Sequence, residues 1–335
     1  MGIKAAIIIG GSGYIGRNLL SGLMIENLFE KYFVLDINPL KGFEKEVKEA
    51  IVTYISADVR RRLPSLEIDL DGKKSWIFNL AAIHREPGHE FKEYFDTNIP
   101  GAKHVNLMAD ELNISNVFFT SSIAPYGKSI EQRTEQSTLY PETAYGISKA
   151  LAEEIHQKWL NRDILNRRLV IVRPSVIYGP KDPGNVYRMI KSLKKGTFIL
   201  PNGGQVIKAY GYVYGLVDSI LFTIQKEKEP LIVYNYAENP LVNLKEMTQI
   251  VKKELDFKKL TLSIPVNLLV VIARLVQIVF KVLGKKSDIH PVRVRKAGFP
   301  TNIHPEYLIN SGFSFKYGFE KSLKHWKSVS PEDFD

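Results

Sequence analysis

Short apolar runs punctuate the first half of the chain: Ala5–Ile9, Tyr32–Leu35, Ile51–Ile55, Trp76–Leu80, Val117–Phe119 and Leu169–Val172. Their length and branched side chains fit strands buried on both faces. Between them, Tyr14–Asn27, Phe91–Leu112 and Ala144–Asn161 carry helix-forming residues. Strands alternating with helices predict an α/β fold, a Rossmann-type doubly wound parallel sheet with helices on both faces. Past Tyr178-Gly-Pro180 the rhythm changes to loops rich in Gly and Pro, the segment Lys208–Val213 and two further helices. This predicts a smaller, mostly helical C-terminal domain closing over the carboxyl edge of the sheet, where such folds bind ligands. The expected division is residues 1–180 with roughly 210–236 for the sheet domain, and roughly 181–209 with 237–335 for the domain that binds substrate.

The first run leads into Gly10-Gly-Ser-Gly-Tyr-Ile-Gly16. Gly11, Gly13 and Gly16 meet the spacing G-x-G-x-x-G, and Gly10 adds the variant G-x-x-G-x-x-G. Glycine there permits a tight turn and lets the backbone approach a pyrophosphate seated on the next helix's N-terminus, where Tyr14 and Ile15 begin the helix. The second run ends at Asp36, twenty residues after Gly16. A carboxylate at that place accepts hydrogen bonds from the adenosine ribose hydroxyls and repels a 2′-phosphate. No arginine follows it closely, so NAD is expected rather than NADP.

Tyr145-Gly-Ile-Ser-Lys149 falls in the third helical stretch, and Ser122 lies about two dozen residues upstream. At i and i+4 the tyrosine and lysine project from one helix face. An ammonium beside a phenol favours the phenolate and lowers a pKa that is about 10 in isolation. Tyrosine then becomes an acid or base usable near neutral pH. Alone, this spacing describes an aromatic ring packed on a lysine stem equally well; behind a dinucleotide signature the catalytic reading is preferred.

Composition narrows the field. The 335 residues include no cysteine, which removes disulfides and thiolate metal sites, and the seven histidines form no H-x-x-x-H pair. No metal site is expected. Met1-Gly-Ile-Lys4 runs straight into a strand without the apolar region of a signal peptide, and position 6 is alanine where myristoylation wants Ser or Thr. A cytoplasmic location is expected. The formal charge of +10 suits an anionic substrate; no nucleic-acid recognition module accompanies it. Leu268–Leu283 is the most hydrophobic stretch, but Arg274, Gln277 and Lys281 mark one polar stripe along it. It reads as a helix buried in the small domain or at a subunit contact. The alternative is a helix lying on a membrane surface through Leu268–Lys286, helped by Lys285, Lys286, Arg293, Arg295 and Lys296.

Further stretches add up to a resemblance. With Gly10-to-Gly16, Asp36 and Tyr145-to-Lys149 go Asp58-Val59, Asn79-Leu-Ala-Ala82, Thr97-Asn98, Thr120-Ser-Ser-Ile-Ala-Pro-Tyr-Gly127, Arg173-Pro-Ser-Val-Ile-Tyr-Gly-Pro180 and Gly312-Phe-Ser-Phe-Lys-Tyr-Gly-Phe319. The chain resembles, over nearly its whole length, an extended short-chain dehydrogenase/reductase of the NAD-dependent epimerase/dehydratase family, whose members act mostly on nucleotide sugars. The resemblance implies that Asp58 and Val59 meet the adenine, that Ala81 and Ala82 line the cofactor, and that Asn98 and Pro174 also border it. It implies that Lys149 bonds the nicotinamide ribose while tuning Tyr145. Ser122 would hold the reacting sugar oxygen while Tyr145 moves its proton; Ser121 is the structural alternative. Toward the substrate it implies Asn185, Lys208 (where relatives carry the arginine of Arg-Asp-Tyr) and Arg295. His84-Arg85, on the loop leaving a central strand, read either as a contact to phosphate or sugar hydroxyl or as a surface basic pair.

Besides Lys208, the chain departs from the family pattern at Pro125, where many relatives carry Val, and at the two positions after Ser122. Dehydratases of this family place Asp-Glu directly after the catalytic Ser/Thr; here stand Ile123 and Ala124, which exchange no protons. A dehydratase is disfavoured, whereas epimerases and ketoreductases need only the Ser, Tyr, Lys and cofactor. The expectation is an NAD-dependent 4-epimerase of a nucleotide-diphosphate sugar, acting as a homodimer in polysaccharide or glycoconjugate biosynthesis. The alternatives are a nucleotide-sugar 4-ketoreductase, a hydroxysteroid- or flavonol-type dehydrogenase of the same superfamily, and an NAD-sensing scaffold, against which retention of Tyr145 and Lys149 argues.

Overall fold

A computed structural model describes residues 2–84, 88–226, 229–283, 294 and 298–335. Seven strands form one sheet: β1 Ala5–Ile9, β2 Lys31–Asp36, β3 Val52–Ser56, β4 Trp76–Asn79, β5 Asn116–Thr120 and β6 Arg168–Pro174, with Leu231–Tyr236 returning late in the chain to the edge beyond β6. All neighbours pair parallel, in the order β3-β2-β1-β4-β5-β6 and then Leu231–Tyr236. The order reverses direction between β1 and β4, so their carboxyl ends open a crevice of the kind that holds nucleotides.

Alternation along β1 shows how the sheet is built. Ala6 and Ile8 join a core with α1 (Tyr14–Ile25) and the helix Val213–Ile224 on one face; Ala5, Ile7 and Ile9 join a second core on the other. That second core is closed by the helices Phe91–Glu111 and Ala144–Asn161. Every residue of β1 is buried, which is why no polar alternation marks it in the sequence. A third apolar cluster lies outside the sheet, built from Tyr178, Val186, Met189, Leu244, Met247 and Trp326 among others. It packs the helices Asn185–Lys195, Leu244–Glu254 and Phe319–Val329 together.

The expected elements hold with shifts of a residue or two at their ends. The first helix stops at Ile25, short of Asn27, which takes the left-handed conformation. Other features differ from the expectation: the strand Leu231–Tyr236 and the helices Glu44–Lys48 and Asn185–Lys195 stand where no element was expected. Two three-residue strand pairs, Val176–Tyr178 with Tyr210–Tyr212 and Ile199–Pro201 with Leu262–Ile264, join loops that carry no strand pattern. After Lys208–Val213 the chain forms five described helices rather than two: Val213–Ile224, Leu244–Glu254, Val266–Val282, Glu306–Asn310 and Phe319–Val329. No described helix is long and apolar enough to cross a membrane.

Candidate active site

The crevice is built first from backbone. Gly10 has a φ of +82°, and a Cβ on it would stand 2.6 Å from the Ala81 nitrogen. Only glycine therefore lets the β1 turn press against the Leu80-Ala81 segment leaving β4. Gly13 sits in the cap position of α1 without any side-chain cap, so the first-turn N–H groups keep their donors for an anion. Gly11 and Gly16 are buried behind Ser12 and Tyr14, while Ile15 packs on the first core.

Asp36 ends β2 and is buried. Its Oδ2 accepts the Ser12 N–H at 3.0 Å and its Oδ1 accepts the Asn38 N–H at 2.9 Å. The carboxylate is thus fixed against the glycine loop with lone pairs still available for a diol. Asp36→Ala is expected to weaken NAD binding roughly ten- to hundredfold, the value of hydrogen bonds to a charged group, and to narrow the preference over NADP. Calorimetric titration of both cofactors checks this; equal affinities in the native protein would remove Asp36 from the role.

Further along the crevice, Asp58 is tied to Arg60 by a salt bridge of 2.6 Å, which holds its carboxyl below the usual range. Val59 is buried against Gly101, and its carbonyl meets His104 Nδ1 at 2.9 Å. Asn98 clamps the loop after β4: its Oδ1 accepts the Ile83 N–H and its Nδ2 donates to the Ile83 carbonyl and to Ser148 Oγ. Ala81 and Ala82 are thereby placed beside Gly10. Pro174, buried at the end of β6, accepts the Ile123 N–H through its carbonyl at 3.1 Å and so anchors the segment that carries Ser122.

The helix Ala144–Asn161 supplies the reactive face. Thr143 caps it by accepting the Gly146 N–H at 3.1 Å, which puts Tyr145 in the first turn. A Cβ on Gly146 would stand 2.7 Å from the Ala124 carbonyl, so glycine permits this turn to lie against Ser122–Tyr126. Ser122 is nearly buried, its Oγ accepting the Ala124 N–H at 3.1 Å. Ser121 is engaged elsewhere: its hydroxyl donates to Glu153. The geometry therefore favours Ser122 over Ser121 as the hydroxyl offered to a ligand. Half-buried Tyr145 packs its ring 6.2 Å from that of Tyr94. Lys149 is buried with its ammonium 4.2 Å from the centre of the Phe119 ring. Burial lowers its pKa to about 7, and the Glu153 carboxylate opposes that fall.

Sequence reasoning missed what stands behind this pair. Glu153 and His156 continue the inner face of the helix beyond Lys149. Glu153 makes a buried ion pair with Arg173, at 3.0 Å to Nε and 2.7 Å to Nη2. Arg173 Nη1 donates to Tyr126 Oη, which donates to Asn235. His156 lies between Asn79 and Asn106, and burial with the nearby Lys149 charge drives its pKa down to about 3. It is a neutral connector. The available signal was polar residues at positions 153 and 156, in register with 145 and 149, on a face that the sheet should cover.

The residues assigned to substrate are more dispersed. His84 is exposed on the loop after β4, and Arg85 lies outside the described residues, as does Arg295. Asn185 is exposed at the start of its helix and accepts from Arg188 at 2.6 Å. Lys208 is buried, its ammonium donates to the Phe299 carbonyl, and burial brings its pKa down to about 8.

The crevice fits a polar dinucleotide. Ser12 Oγ, Tyr14 Oη, Asn79 Oδ1, Thr120 Oγ1 and Ser175 Oγ are buried without a hydrogen-bond partner among the described residues. Ser12, Asn79, Thr120 and Ser175 lie at or just beyond the carboxyl ends of β1, β4, β5 and β6, whereas the Tyr14 hydroxyl lies against Gly179. Buried polar atoms are ordinarily paired, so the convergence of those four on one edge points to a ligand with many hydrogen-bonding groups. Among the described residues no group of three His, Cys, Asp or Glu is arranged to hold a metal ion.

Comparison with known proteins gives the same direction. The profile of the NAD dependent epimerase/dehydratase family matches residues 6–237. The chain is 30% identical over 319 residues to N-acetyl-alpha-D-glucosaminyl-diphospho-ditrans,octacis-undecaprenol 4-epimerase of Escherichia coli O157:H7, covering 95% of this chain and 92% of the relative. Two solved structures share the fold. MoeE5 in complex with UDP-glucose and NAD superposes with a TM-score of 0.73 at 18% identity, over 99% of this chain and 100% of its own. UDP-glucuronic acid 4-epimerase from Bacillus cereus in complex with NAD gives 0.73 at 14% identity, over the same shares.

Proposed function

This chain belongs to the NAD dependent epimerase/dehydratase family, and from that premise we propose that it inverts C4 of a sugar carried on a diphosphate. It is an NAD-dependent enzyme. A sugar on a diphosphate is what the UDP-glucose of MoeE5 and the diphospho-undecaprenol of the Escherichia coli relative have in common. The nucleotide-diphosphate sugar expected from the sequence is one member of that class.

Bound NAD supplies a reversible hydride acceptor at the carbon that changes configuration. The chain's own residues do the rest. Ser122 Oγ, set by the Ala124 N–H, donates to the sugar oxygen and fixes its distance from Tyr145. Tyr145 takes the hydroxyl proton as the carbon is oxidised and returns it when the carbon is reduced from its other face. Lys149 favours the phenolate while it is protonated and reaches the ribose beside it. Asp36, the α1 N-terminus and the loop clamped by Asn98 hold the dinucleotide.

The observation that carries the epimerase reading is the 30% identity, over 95% of the chain, to a relative named as a 4-epimerase of a sugar diphosphate; the turn after Ser122 argues separately against a dehydratase. Beyond Ser122 the turn offers Ile123 and Ala124, so one proton-transfer residue serves one carbon and elimination has no catalyst. The enzyme should retain NAD through purification and interconvert two sugar epimers with no net change in the absorbance of reduced nicotinamide. Stoichiometric consumption of NADH with a keto-sugar diphosphate, and no epimerisation, would decide for a ketoreductase.

A further inference from the structure

We infer that the helix Val266–Val282 docks on an anionic lipid bilayer and that the sugar diphosphate taken by the site is membrane-borne. This rests on the sugar-diphosphate reading and narrows it to a lipid carrier. Leu268, Val271, Ile272, Leu275, Ile278 and Val279 are each between 41 and 59% exposed. At 3.6 residues per turn they fill one arc of roughly 120°. On the opposite side Val270 and Ala273 are buried against the protein, while Gln277, between them around the helix, is exposed. Exposed Arg274 borders the apolar arc along one edge. Leu260 and Leu262, just before the helix, are also exposed. Single exposed leucines are ordinary; a continuous aliphatic face of this width marks a surface that is covered in use.

Charge selects the cover. From Phe257 to Lys286 the sequence holds Lys258, Lys259, Arg274, Lys281, Lys285 and Lys286 and not one Asp or Glu. Two copies of such a segment repel each other, whereas anionic headgroups attract it. The helix has 17 residues, short of the roughly 20 that span hydrocarbon, and suits the interfacial plane.

Position ties this face to the site. Gly298 packs on Val266, the first residue of the helix. The next residue, Phe299, accepts from the Lys208 ammonium, and Thr301 pairs with the Lys208 strand and accepts the Ala209 N–H. The short segment 298–301 thus spans from the docking helix to the lysine expected to face the diphosphate. A diphosphate whose other ester is a lipid in the bilayer would approach from that side.

The test is co-flotation of the whole protein with vesicles of roughly three parts phosphatidylethanolamine to one part phosphatidylglycerol. The native protein should float with them, less so with phosphatidylcholine alone or at high salt. Ile272→Asp/Leu275→Asp should reduce the floated fraction at least about tenfold, with NAD binding unchanged by calorimetry. Both residues are exposed; Ile272→Ser/Leu275→Ser is the milder pair if the charged one does not fold. A native protein that stays with the unbound fraction overturns the inference. So does a double variant that floats undiminished, or one whose sole effect is to turn a dimer into a monomer. Undecaprenyl-diphospho-N-acetylglucosamine in the vesicles is then compared with UDP-N-acetylglucosamine. Epimerisation of the UDP-sugar alone leaves the epimerase standing and removes the lipid carrier. NADH consumption without epimerisation removes the epimerase, while flotation still decides the docking.

Discussion

Tyr145→Phe is expected to lower turnover by roughly 10²–10⁴-fold, the range that a positioned general acid–base contributes, with NAD affinity changed by no more than a small factor. The structure makes this a clean substitution. Tyr145 sits in the first turn of a helix whose cap is Thr143 and whose close approach is made by Gly146, and neither depends on the phenol. The ring still packs beside Tyr94. What disappears is the one oxygen proposed to move the proton, so the loss belongs in kcat rather than in cofactor binding. Lys149→Met should behave differently and damage both, because Lys149 is proposed to touch the ribose as well as the phenol. Single-turnover kinetics and calorimetry on the two variants separate these patterns. A Tyr145→Phe enzyme that kept most of its turnover would end the mechanism proposed here.

The sheet was legible because its signals are local and redundant. A buried parallel strand such as Ala5–Ile9 is apolar at every position, and the glycine loop after it admits few residues other than those present. The end of β2 at Asp36 was legible for the same reason: the apolar run stops there at a carboxylate. The short pairs Val176–Tyr178 with Tyr210–Tyr212 and Ile199–Pro201 with Leu262–Ile264 were not, since three residues carry no period and their partners lie far away in sequence. The C-terminal helices were undercounted because they bury their apolar faces in different places: Leu244–Glu254 and Phe319–Val329 in a cluster around Tyr178 and Trp326, Val213–Ile224 and Leu308 against the sheet, while Val266–Val282 leaves most of its face exposed. Within the site, the i, i+4 spacing of Tyr145 and Lys149 pointed to chemistry only in company with the glycine signature at Gly10–Gly16. Asn98 could be read only as a member of a matched stretch; its contacts give it a concrete task, clamping Ile83 to the catalytic helix through Ser148. The Ser121–Glu153–Arg173–Tyr126–Asn235 chain is a product of tertiary packing, and only the misplaced polarity of Glu153 hinted at it.

That chain yields the largest expected stability effect. Glu153→Ala should cost about 3–5 kcal/mol, the usual consequence of stranding one partner of a buried ion pair. The Arg173 side chain is 7% exposed and the Glu153 side chain 2%, so water does not replace the lost carboxylate. Ser121 loses its acceptor as well. Glu153→Leu combined with Arg173→Met removes both charges and should restore much of the loss, since apolar residues of similar size often substitute for a buried pair without cost. Urea denaturation of the three proteins checks the pattern. Glu153→Gln, which removes the carboxylate charge and leaves Arg173, then reads the electrostatic effect on Lys149. Burial lowers that pKa from 10.5 to about 7 and Glu153 holds it from falling further. Without the carboxylate the ammonium gives up its proton at a lower pH. Because the proposed role of Lys149 is to favour the phenolate while charged, the limb of kcat/KM that follows its deprotonation should move toward acid. A folded Glu153→Gln variant with an unmoved pH profile would confine Glu153 to holding Arg173 and Ser121 in place.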